Sequence, residues 1–261
     1  MFKDIYFRYV MNRAAARLGR LGDAGAVGLS RALRQAALGE FDGAERDWMG
    51  RIELIRSELE GSGAFVGQPD WGASSLGGGA PGVITRRVGE VCRSASKPRL
   101  WAGFLLRLVR EFRPAGCLEL GTCLGISACY ESAGLRLNGL GRLVTLEGAP
   151  EFAEIARKNF CRLGLDNVEV VTGPFQETLD VALDRLGRVD YAFIDGHHQE
   201  KPTLEYFGKI RACANPGAVL VFDDINWSDG MKRAWKTVTS SRGVNHAMNL
   251  HTLGVCIYGN G

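Results

Sequence analysis

The sequence predicts an α/β fold: a doubly wound, mainly parallel sheet with a C-terminal antiparallel hairpin, preceded by an N-terminal helical extension. From residue 116 onward, short apolar runs alternate with helical runs at the spacing of βαβ units. The runs YAFI and VLVF are apolar at every position, as strands covered on both faces require. Near the C-terminus, two strand-like runs are joined by Leu253-Gly254, which predicts an antiparallel strand at or near the sheet edge.

The composition is that of an ordinary globular protein, with 46% hydrophobic and 23% charged residues among 261. A formal charge of +3 and scattered arginines argue against a nucleic-acid partner. Seven cysteines show no C-x-x-C pair and no zinc-type spacing. Their odd number and the apolar segments around most of them favour a reducing compartment. No apolar run approaches the roughly 18 residues of a membrane span, and Met1–Arg20 lacks the features of a signal peptide. We therefore expect a cytoplasmic protein without a membrane partner.

Residues 1–90 are predicted to form the helical extension and residues 91–261 the main domain. From Glu45 to Leu59, apolar residues recur at three- and four-residue steps, which indicates an amphipathic helix. The extension has three candidate roles: a structural appendage, part of a substrate lid, or the interface of a homo-oligomer formed through its helices.

A loop is predicted over residues 61–82, which are dominated by Gly, Ser, Ala and Pro. Loops of this length are usually disordered or functional. Asp70 and Trp71 are the residues in it with recognition chemistry, so a lid that touches substrate and a plain connector both remain open.

The main domain is predicted to begin with a helix over 100–112, which ends before Pro114. The clearest later helix is 151–163, whose apolar residues share one face and whose end is marked by Gly164. Pro202 suits a helix start. The predicted strands are 116–120, 143–147, 168–172, 189–194 and 218–222, and the predicted helices between them are 126–133, 151–163, 175–186 and 202–214.

The first strand is followed by a glycine turn and a helix start, in the segment Cys117–Ser127. The dinucleotide signature G-x-G-x-x-G is absent, because Gly121 and Gly125 are spaced more widely. Such a turn suits a cofactor that lacks a pyrophosphate. The hydroxyl of Ser127 and the free N–H groups near the helix start are suited to hold a carboxylate.

The next two strand ends carry groups that suit a nucleoside. Glu147 lies 26 residues beyond Gly121, where an acid can accept both hydrogen bonds of a ribose diol; a solvated turn residue is the alternative. Gly173-Pro174-Phe175-Gln176 follows the third strand. Phe175 or Pro174 is suited to pack on an adenine and Gln176 to bond its edge, although an ordinary helix start is equally consistent.

The fourth and fifth strands end in acids: Asp195, followed by Gly196, His197 and His198, and the pair Asp223-Asp224. Carboxylates at neighbouring strand ends repel each other unless a cation lies between them. Oxygen ligands favour Mg²⁺, Mn²⁺ or Ca²⁺, so a metal site is predicted. The alternative is that these acids cap the following helices.

Taken together, the segments ELGTCLGIS, VTLEG, TGPFQE, FIDGHH and VFDDINW resemble a class I S-adenosylmethionine-dependent methyltransferase over residues 110–260. Within that superfamily the chain is most similar to the metal-dependent O-methyltransferases of the catechol, caffeoyl-coenzyme A and macrolide-sugar types. The resemblance implies a Rossmann-like fold, S-adenosylmethionine as cofactor, and Mg²⁺ or another divalent cation bound by Asp195, Asp223 and Asp224. The predicted cofactor contacts are Glu119, Gly121, Thr122, Gly125, Ser127, Glu147, Gly173, Phe175, Gln176 and Asp195.

The implied reaction is direct methyl transfer to a hydroxyl of a small molecule, such as a sugar or a catechol-like diol. Asp195 and His198 are the predicted catalytic residues. The catechol-type base is a lysine three residues after the first metal ligand; His198 stands there, as histidine does in the sugar-modifying enzymes. His197 is either an alternative base or a turn residue. The alternatives are a metal-independent methyltransferase acting on O or N, a dinucleotide oxidoreductase, and a non-catalytic relative of the fold.

Overall fold

A computed structural model describes residues 2–69 and 82–259. Asp70 and Trp71 lie outside the described residues, so their predicted role stays a prediction. No helix in the described ranges has the length and apolar character that a membrane crossing would need.

The N-terminal part consists of three helices, a two-stranded hairpin and a short fourth helix. The third helix begins with a capping box, in which Asp42 and Glu45 each accept from the other's backbone N–H. The elements are α1 (Phe2–Leu18), α2 (Ala24–Leu38), α3 (Gly43–Glu60), β1 (Phe65–Pro69), β2 (Val83–Arg87) and α4 (Val88–Ala95).

The remaining chain alternates strands and helices, as the sequence predicts. Its elements are α5 (Arg99–Phe112), β3 (Gly116–Leu120), α6 (Ile126–Asn138), β4 (Arg142–Glu147), α7 (Pro150–Leu163), β5 (Val168–Thr172), α8 (Phe175–Leu186), β6 (Val189–Ile194), α9 (Glu200–Cys213), β7 (Ala214–Phe222), α10 (Asp229–Thr239), β8 (Val244–Asn249) and β9 (Gly254–Tyr258).

Seven strands form one sheet in the order β5-β4-β3-β6-β7-β9-β8. The five strands from β3 to β7 pair in parallel, whereas β9 lies antiparallel between β7 and β8. The chain runs outward from β3 to β5 and then returns to β6, so the strand order reverses between β3 and β6. In open α/β sheets, ligands bind beyond the carboxyl ends of the strands at such a reversal.

The sheet separates two apolar cores, because successive side chains of a strand point to opposite faces. Cys117 of β3 and Tyr191 of β6 belong to the core beneath α1–α3, α5 and α6. Their chain neighbours Leu118 and Ala192 belong to the other core, beneath α8, α9 and α10. Helices therefore cover both faces, which confirms the doubly wound prediction.

The N-terminal helices share a core with the main domain. Met11 of α1 and Leu29 of α2 lie in the same buried cluster as Phe104 of α5, while α3 packs on α6. The prediction of a boundary near residue 90 is not tested by this packing. The apolar core is nevertheless continuous across that position, so the N-terminal helices help to cover one face of the sheet.

Several stretches differ from the sequence prediction, among them α6, which continues to Asn138 instead of ending at 133. The segment Phe65–Pro69, predicted to be loop, pairs with Val83–Arg87, and the Gly67 N–H donates to Glu151 on α7, at 2.9 Å. These partners are distant in sequence, so local composition does not encode the strand. The strand predicted at 218–222 begins earlier, because Ala214 pairs with Val189 across a register shift.

Candidate active site

A cavity of about 400 Å³ opens at the carboxyl edge of the sheet, where β3, β4, β6 and β7 end. The strand ends contribute Gly121, Glu147, Asp195 and Asp223 to its lining. Gln68 and Arg86 of the hairpin, within residues 1–90, also line the cavity, as do Ser94–Lys97 beyond that range. The extension therefore helps to form the candidate site.

Gly121 fixes the distance between two strand ends. Its φ of +104° lies in a region that favours glycine, and a Cβ there would overlap the carbonyl oxygen of Asp195. The Asp195 N–H donates to the Leu120 carbonyl at 2.9 Å. The glycine therefore brings the predicted cofactor turn against the predicted catalytic acid. Thr122 follows it, buried at the cavity and hydrogen-bonded to Thr145 at 2.6 Å.

Glu147 lies at the cavity with its carboxylate held by two backbone N–H groups. One oxygen accepts from Cys123 at 2.6 Å and the other from Ala149 at 2.8 Å. Burial raises the pKa of Glu147, although the backbone hydrogen bonds oppose this shift. The geometry leaves a fixed carboxylate at the cavity wall, as the predicted contact with a diol requires.

Two predicted cofactor contacts, Glu119 and Gly125, make contacts that support the fold around the cavity. Glu119 is fully buried and accepts hydrogen bonds from Ser127 and Thr145. Gly125 has a φ of +83°, and a Cβ there would come within 3.0 Å of Ala156 on α7. Neither residue is in the cavity lining. Glu119 orients Ser127, which does line the cavity, and Gly125 lets α6 approach α7.

Replacing Glu119 by Gln is expected to flatten the pH dependence of stability. Burial raises the pKa of Glu119 from 4.5 to about 7. The pKa of Glu119 is therefore higher in the folded chain than in the unfolded one. Its contribution to the free energy of unfolding is fully present below pH 4.5 and is lost as the pH rises through about 7. At about 1.4 kcal/mol per pKa unit, the loss is about 3 kcal/mol.

Urea unfolding of both proteins between pH 4 and 8 measures this difference. The other titrating groups are common to both chains, so they cancel in the comparison. The wild-type free energy of unfolding should fall relative to Glu119→Gln across the window, and parallel curves would contradict the assignment.

The predicted adenine contacts Gly173, Phe175 and Gln176 are absent from the cavity lining. Phe175 packs edge-on against His197 and Tyr206, and a Cβ at Gly196 would overlap its ring. Gln176 is exposed in the first turn of α8. These contacts give Phe175 a role in supporting the turn after β6, and they do not support its prediction as an adenine platform.

The two histidines after β6 have different surroundings. His197 stacks on Tyr206 and hydrogen-bonds its hydroxyl, and burial lowers the pKa of His197; it is a packing residue of the turn. His198 lines the cavity. Its Nε2 lies 3.5 Å from Asp195 Oδ1 and its Nδ1 lies 3.9 Å from Asp224 Oδ2.

Backbone strain is concentrated at this edge. Among the described residues, six non-glycine residues have positive φ, and Cys123, His198 and Asp224 of these line the cavity. Such conformations are costly, and they cluster at sites where the surrounding structure imposes them. His198 follows β6 and Asp224 follows β7, and both have this conformation; His198 Nδ1 lies 3.9 Å from Asp224 Oδ2.

Lys97 occupies the centre of the acid cluster. Its ammonium lies 3.1 Å from Asp195 Oδ2 and bonds Asp223 Oδ2. Burial alone would lower the pKa of Lys97, but these two carboxylates reverse the effect and raise it. Burial, and then the charge of Asp223, raise the pKa of Asp195, and Lys97 opposes that shift.

The sequence prediction did not find Lys97. The repulsion argument required a cation between the carboxylates, and a metal ion was the predicted one. A signal was available: Lys97 is the only lysine between residues 4 and 157, and it precedes a proline. Its distance from the acids in the sequence concealed the pairing.

Two of the three predicted metal ligands, Asp195 and Asp223, lie close together. Their ligand atoms and one of His198 lie within 4.8 Å of one another, while Asp224 also lines the cavity. However, Lys97 contacts the carboxylates of Asp195 and Asp223. An ammonium and a divalent cation on the same oxygens repel strongly. As the side chains lie, the set does not fit a resident divalent ion.

Comparisons with known proteins agree with this geometry. Residues 118–225 match the family model described as a methyltransferase domain. Catechol O-methyltransferases of Mycobacterium tuberculosis and Niastella koreensis are 37% and 35% identical over 123 and 124 residues, which is 47% of this chain and 53% and 54% of theirs. The chain thus spans about half the length of the curated relatives that it matches.

The fold of a solved O-methyltransferase is also similar. The enzyme from Bacillus cereus, in complex with SAH, is 26% identical with a TM-score of 0.55, and the match covers 63% of this chain and 83% of that one. The matched segment, the strand order and the glycine turn agree with one another. Residues 118–225 are therefore similar to a methyltransferase domain, and the chain is similar in sequence and fold to known O-methyltransferases.

Proposed function

We propose that this protein transfers a methyl group from S-adenosylmethionine to a hydroxyl oxygen of a small molecule that carries adjacent hydroxyls. The carrying observation is the convergence of the glycine turn, Glu147 and the Asp195–His198 pair on one cavity. The similarity to catechol O-methyltransferases supports an oxygen acceptor with a neighbouring hydroxyl.

The cavity suits the cofactor on three grounds. Gly121 lets the end of β3 approach the backbone of Asp195 closely, so that both strand ends line one cavity. Glu147 presents a fixed carboxylate, suited to a ribose diol. Ser127 lies in the first turn of α6, where N–H groups without helical partners favour an anion such as the cofactor's carboxylate. Bound there, S-adenosylmethionine supplies an electrophilic methyl group whose sulfide leaves in one displacement.

The chain's task is to orient the acceptor and to take its proton. A free alcohol is a poor nucleophile at neutral pH, and histidine is the usual proton acceptor in that range. His198 lies at the cavity, and Asp195 Oδ1 and Asp224 Oδ2 flank its two ring nitrogens. We assign the acceptor's proton to His198 Nδ1, which lies too far from Asp224 for a hydrogen bond, while Asp195 beside Nε2 orients the ring.

Two versions of this reaction differ in the cation. The version with Mg²⁺ resembles the metal-dependent relatives and would bind both acceptor hydroxyls to the ion. The metal-independent version needs another positive group beside the acceptor. The contacts of Lys97 with Asp195 and Asp223 favour the second version.

The expected result of an assay is SAH formation that depends on an added diol. The protein is incubated with S-adenosylmethionine and, in separate reactions, a catechol, a sugar diol, the matching monohydroxy compounds and an aromatic amine. Product mass identifies the methylated atom class. Saturable S-adenosylmethionine binding without methyl transfer to any hydroxyl compound would contradict the oxygen acceptor, and tight binding of NAD instead would contradict the cofactor.

We also propose self-association through the N-terminal helices. Ile5, Tyr6 and Tyr9 of α1 are 60%, 48% and 57% exposed, and exposed apolar groups of this kind are frequent at interfaces. Analytical sedimentation measures the mass of the wild-type chain and of the double variant Ile5→Asp/Tyr9→Asp. We expect the wild-type mass to exceed that of the variant, and a monomer mass for both would contradict the proposal.

A further inference from the structure

The backbone of Lys97 is held by polar contacts that connect the segment between α4 and α5 to α3 and α6. It lies between α4 and α5 and precedes Pro98, which restricts it to an extended backbone. The buried Arg56 of α3 donates to the Lys97 carbonyl at 2.8 Å. Arg56 pairs with Glu53, which in turn accepts from the hydroxyl of Tyr130 at 2.7 Å.

From this segment the side chain of Lys97 extends to the carboxyl edge of the sheet, where it is 14% exposed. Its ammonium bonds Asp223, whose side chain is 4% exposed, and Asp195, whose side chain is 15% exposed. Buried carboxylates are costly without a compensating charge. The lysine supplies that charge from the protein itself.

The same position excludes a divalent ion. Mg²⁺ binds carboxylate oxygens at about 2.0–2.1 Å, so an ion on Asp223 Oδ2 would lie beside the ammonium already bonded to that oxygen. The repulsion between a unit and a double charge at this separation is large in a partly buried site. Lys97 and a metal are therefore alternatives for one place.

We propose that Lys97 is a built-in positive charge that replaces the divalent cation at the acceptor site. It neutralises Asp195 and Asp223 and presents an N–H donor to one acceptor oxygen, while Asp195 links it to His198 through the other carboxylate oxygen. This inference rests on the proposed function for its role in catalysis, but its test by metal binding does not.

The experiment is a Mn²⁺ titration of the full chain followed by electron paramagnetic resonance of the free ion. The wild-type protein is expected to lack a saturable site that involves Asp223. Lys97→Met, which keeps the length without the charge, is expected to gain one site per chain at least about 100-fold tighter than wild type. Adding Asp223→Asn to Lys97→Met should remove that site.

Lys209→Met is the matched control. Lys209 pairs with Asp180 on the protein surface, so this variant loses a lysine ion pair without touching the cavity. Its Mn²⁺ titration should match wild type. If Lys97→Met is unfolded in metal-free buffer, Mn²⁺ is expected to restore its melting transition, and failure to do so contradicts the proposal.

A wild-type site for Mn²⁺ that disappears in Asp223→Asn would overturn the inference directly, as would a folded Lys97→Met that gains no site. Methyl transfer is measured in parallel. Wild-type turnover should survive rigorous chelation, whereas Lys97→Met should lose turnover and recover part of it with Mn²⁺. If Lys97→Met gains a Mn²⁺ site but the wild-type chain methylates none of the compounds, the inference about Lys97 stands and the proposed function is contradicted.

Discussion

Replacing His198 by Ala is expected to slow methyl transfer by roughly 10²–10⁴-fold and to leave S-adenosylmethionine affinity unchanged. The imidazole lies at the cavity, 3.5 Å from Asp195 and 3.9 Å from Asp224. It follows β6, whereas the Glu147 carboxylate assigned to the ribose ends β4, and β3 lies between these strands. Loss of the imidazole removes the proton acceptor without altering the cofactor contacts. Steady-state kinetics and calorimetric titration separate the two effects.

His246→Ala is the control for this variant. That imidazole pairs with Asp23 from the edge strand β8, so the change should leave turnover at the wild-type level. Added imidazole should restore part of the activity of His198→Ala, since a small base can enter the space. Full turnover in His198→Ala would remove this residue from the mechanism.

Replacing Gly121 by Ala is expected to weaken cofactor binding and to slow methyl transfer by about 100-fold or more, because displacements near 1 Å have effects of that size on reaction rates. The added Cβ would overlap the Asp195 carbonyl oxygen. Backbone must therefore move, and it carries the carboxylate that contacts Lys97 and His198. Cofactor titration and steady-state kinetics measure the two consequences.

Gly139→Ala provides a control at another glycine with positive φ. Gly139 has a φ of +69° with no neighbouring atom within 4 Å of a built Cβ. That substitution introduces the left-handed strain of about 1–2 kcal/mol without a clash. If both variants bind the cofactor equally, the close approach of β3 and β6 is not what forms the site.

Much of the fold was predictable because its signals are local. The strands 116–120, 168–172 and 189–194 and the helix 175–186 have their predicted bounds. Apolar runs, glycine stops and a proline at a helix start act within a few residues. The prediction that residues after the strands lie close together was also correct for part of the set. Parallel strands bring their carboxyl ends to one edge of the sheet regardless of their side chains.

The site was less predictable where position depends on packing. Glu119 follows the pattern of a cofactor acid, yet its neighbours Ser127 and Thr145 enclose it. Phe175 follows the pattern of an adenine platform, yet it fills the space beneath Gly196. In each case the residue type was compatible with two environments, and the three-dimensional neighbours selected one.

The sequence by itself determined the parallel sheet, the glycine turn and the row of acids at the strand ends, because each depends on spacing along a short stretch of chain. Only the tertiary structure decided which charge compensates those acids. Arg56 and Pro98 fix a loop from the N-terminal part over the sheet edge, and the ammonium of Lys97 thereby meets Asp195 and Asp223. Electrostatic compensation acts through space, so a partner so far away in the sequence leaves no local pattern.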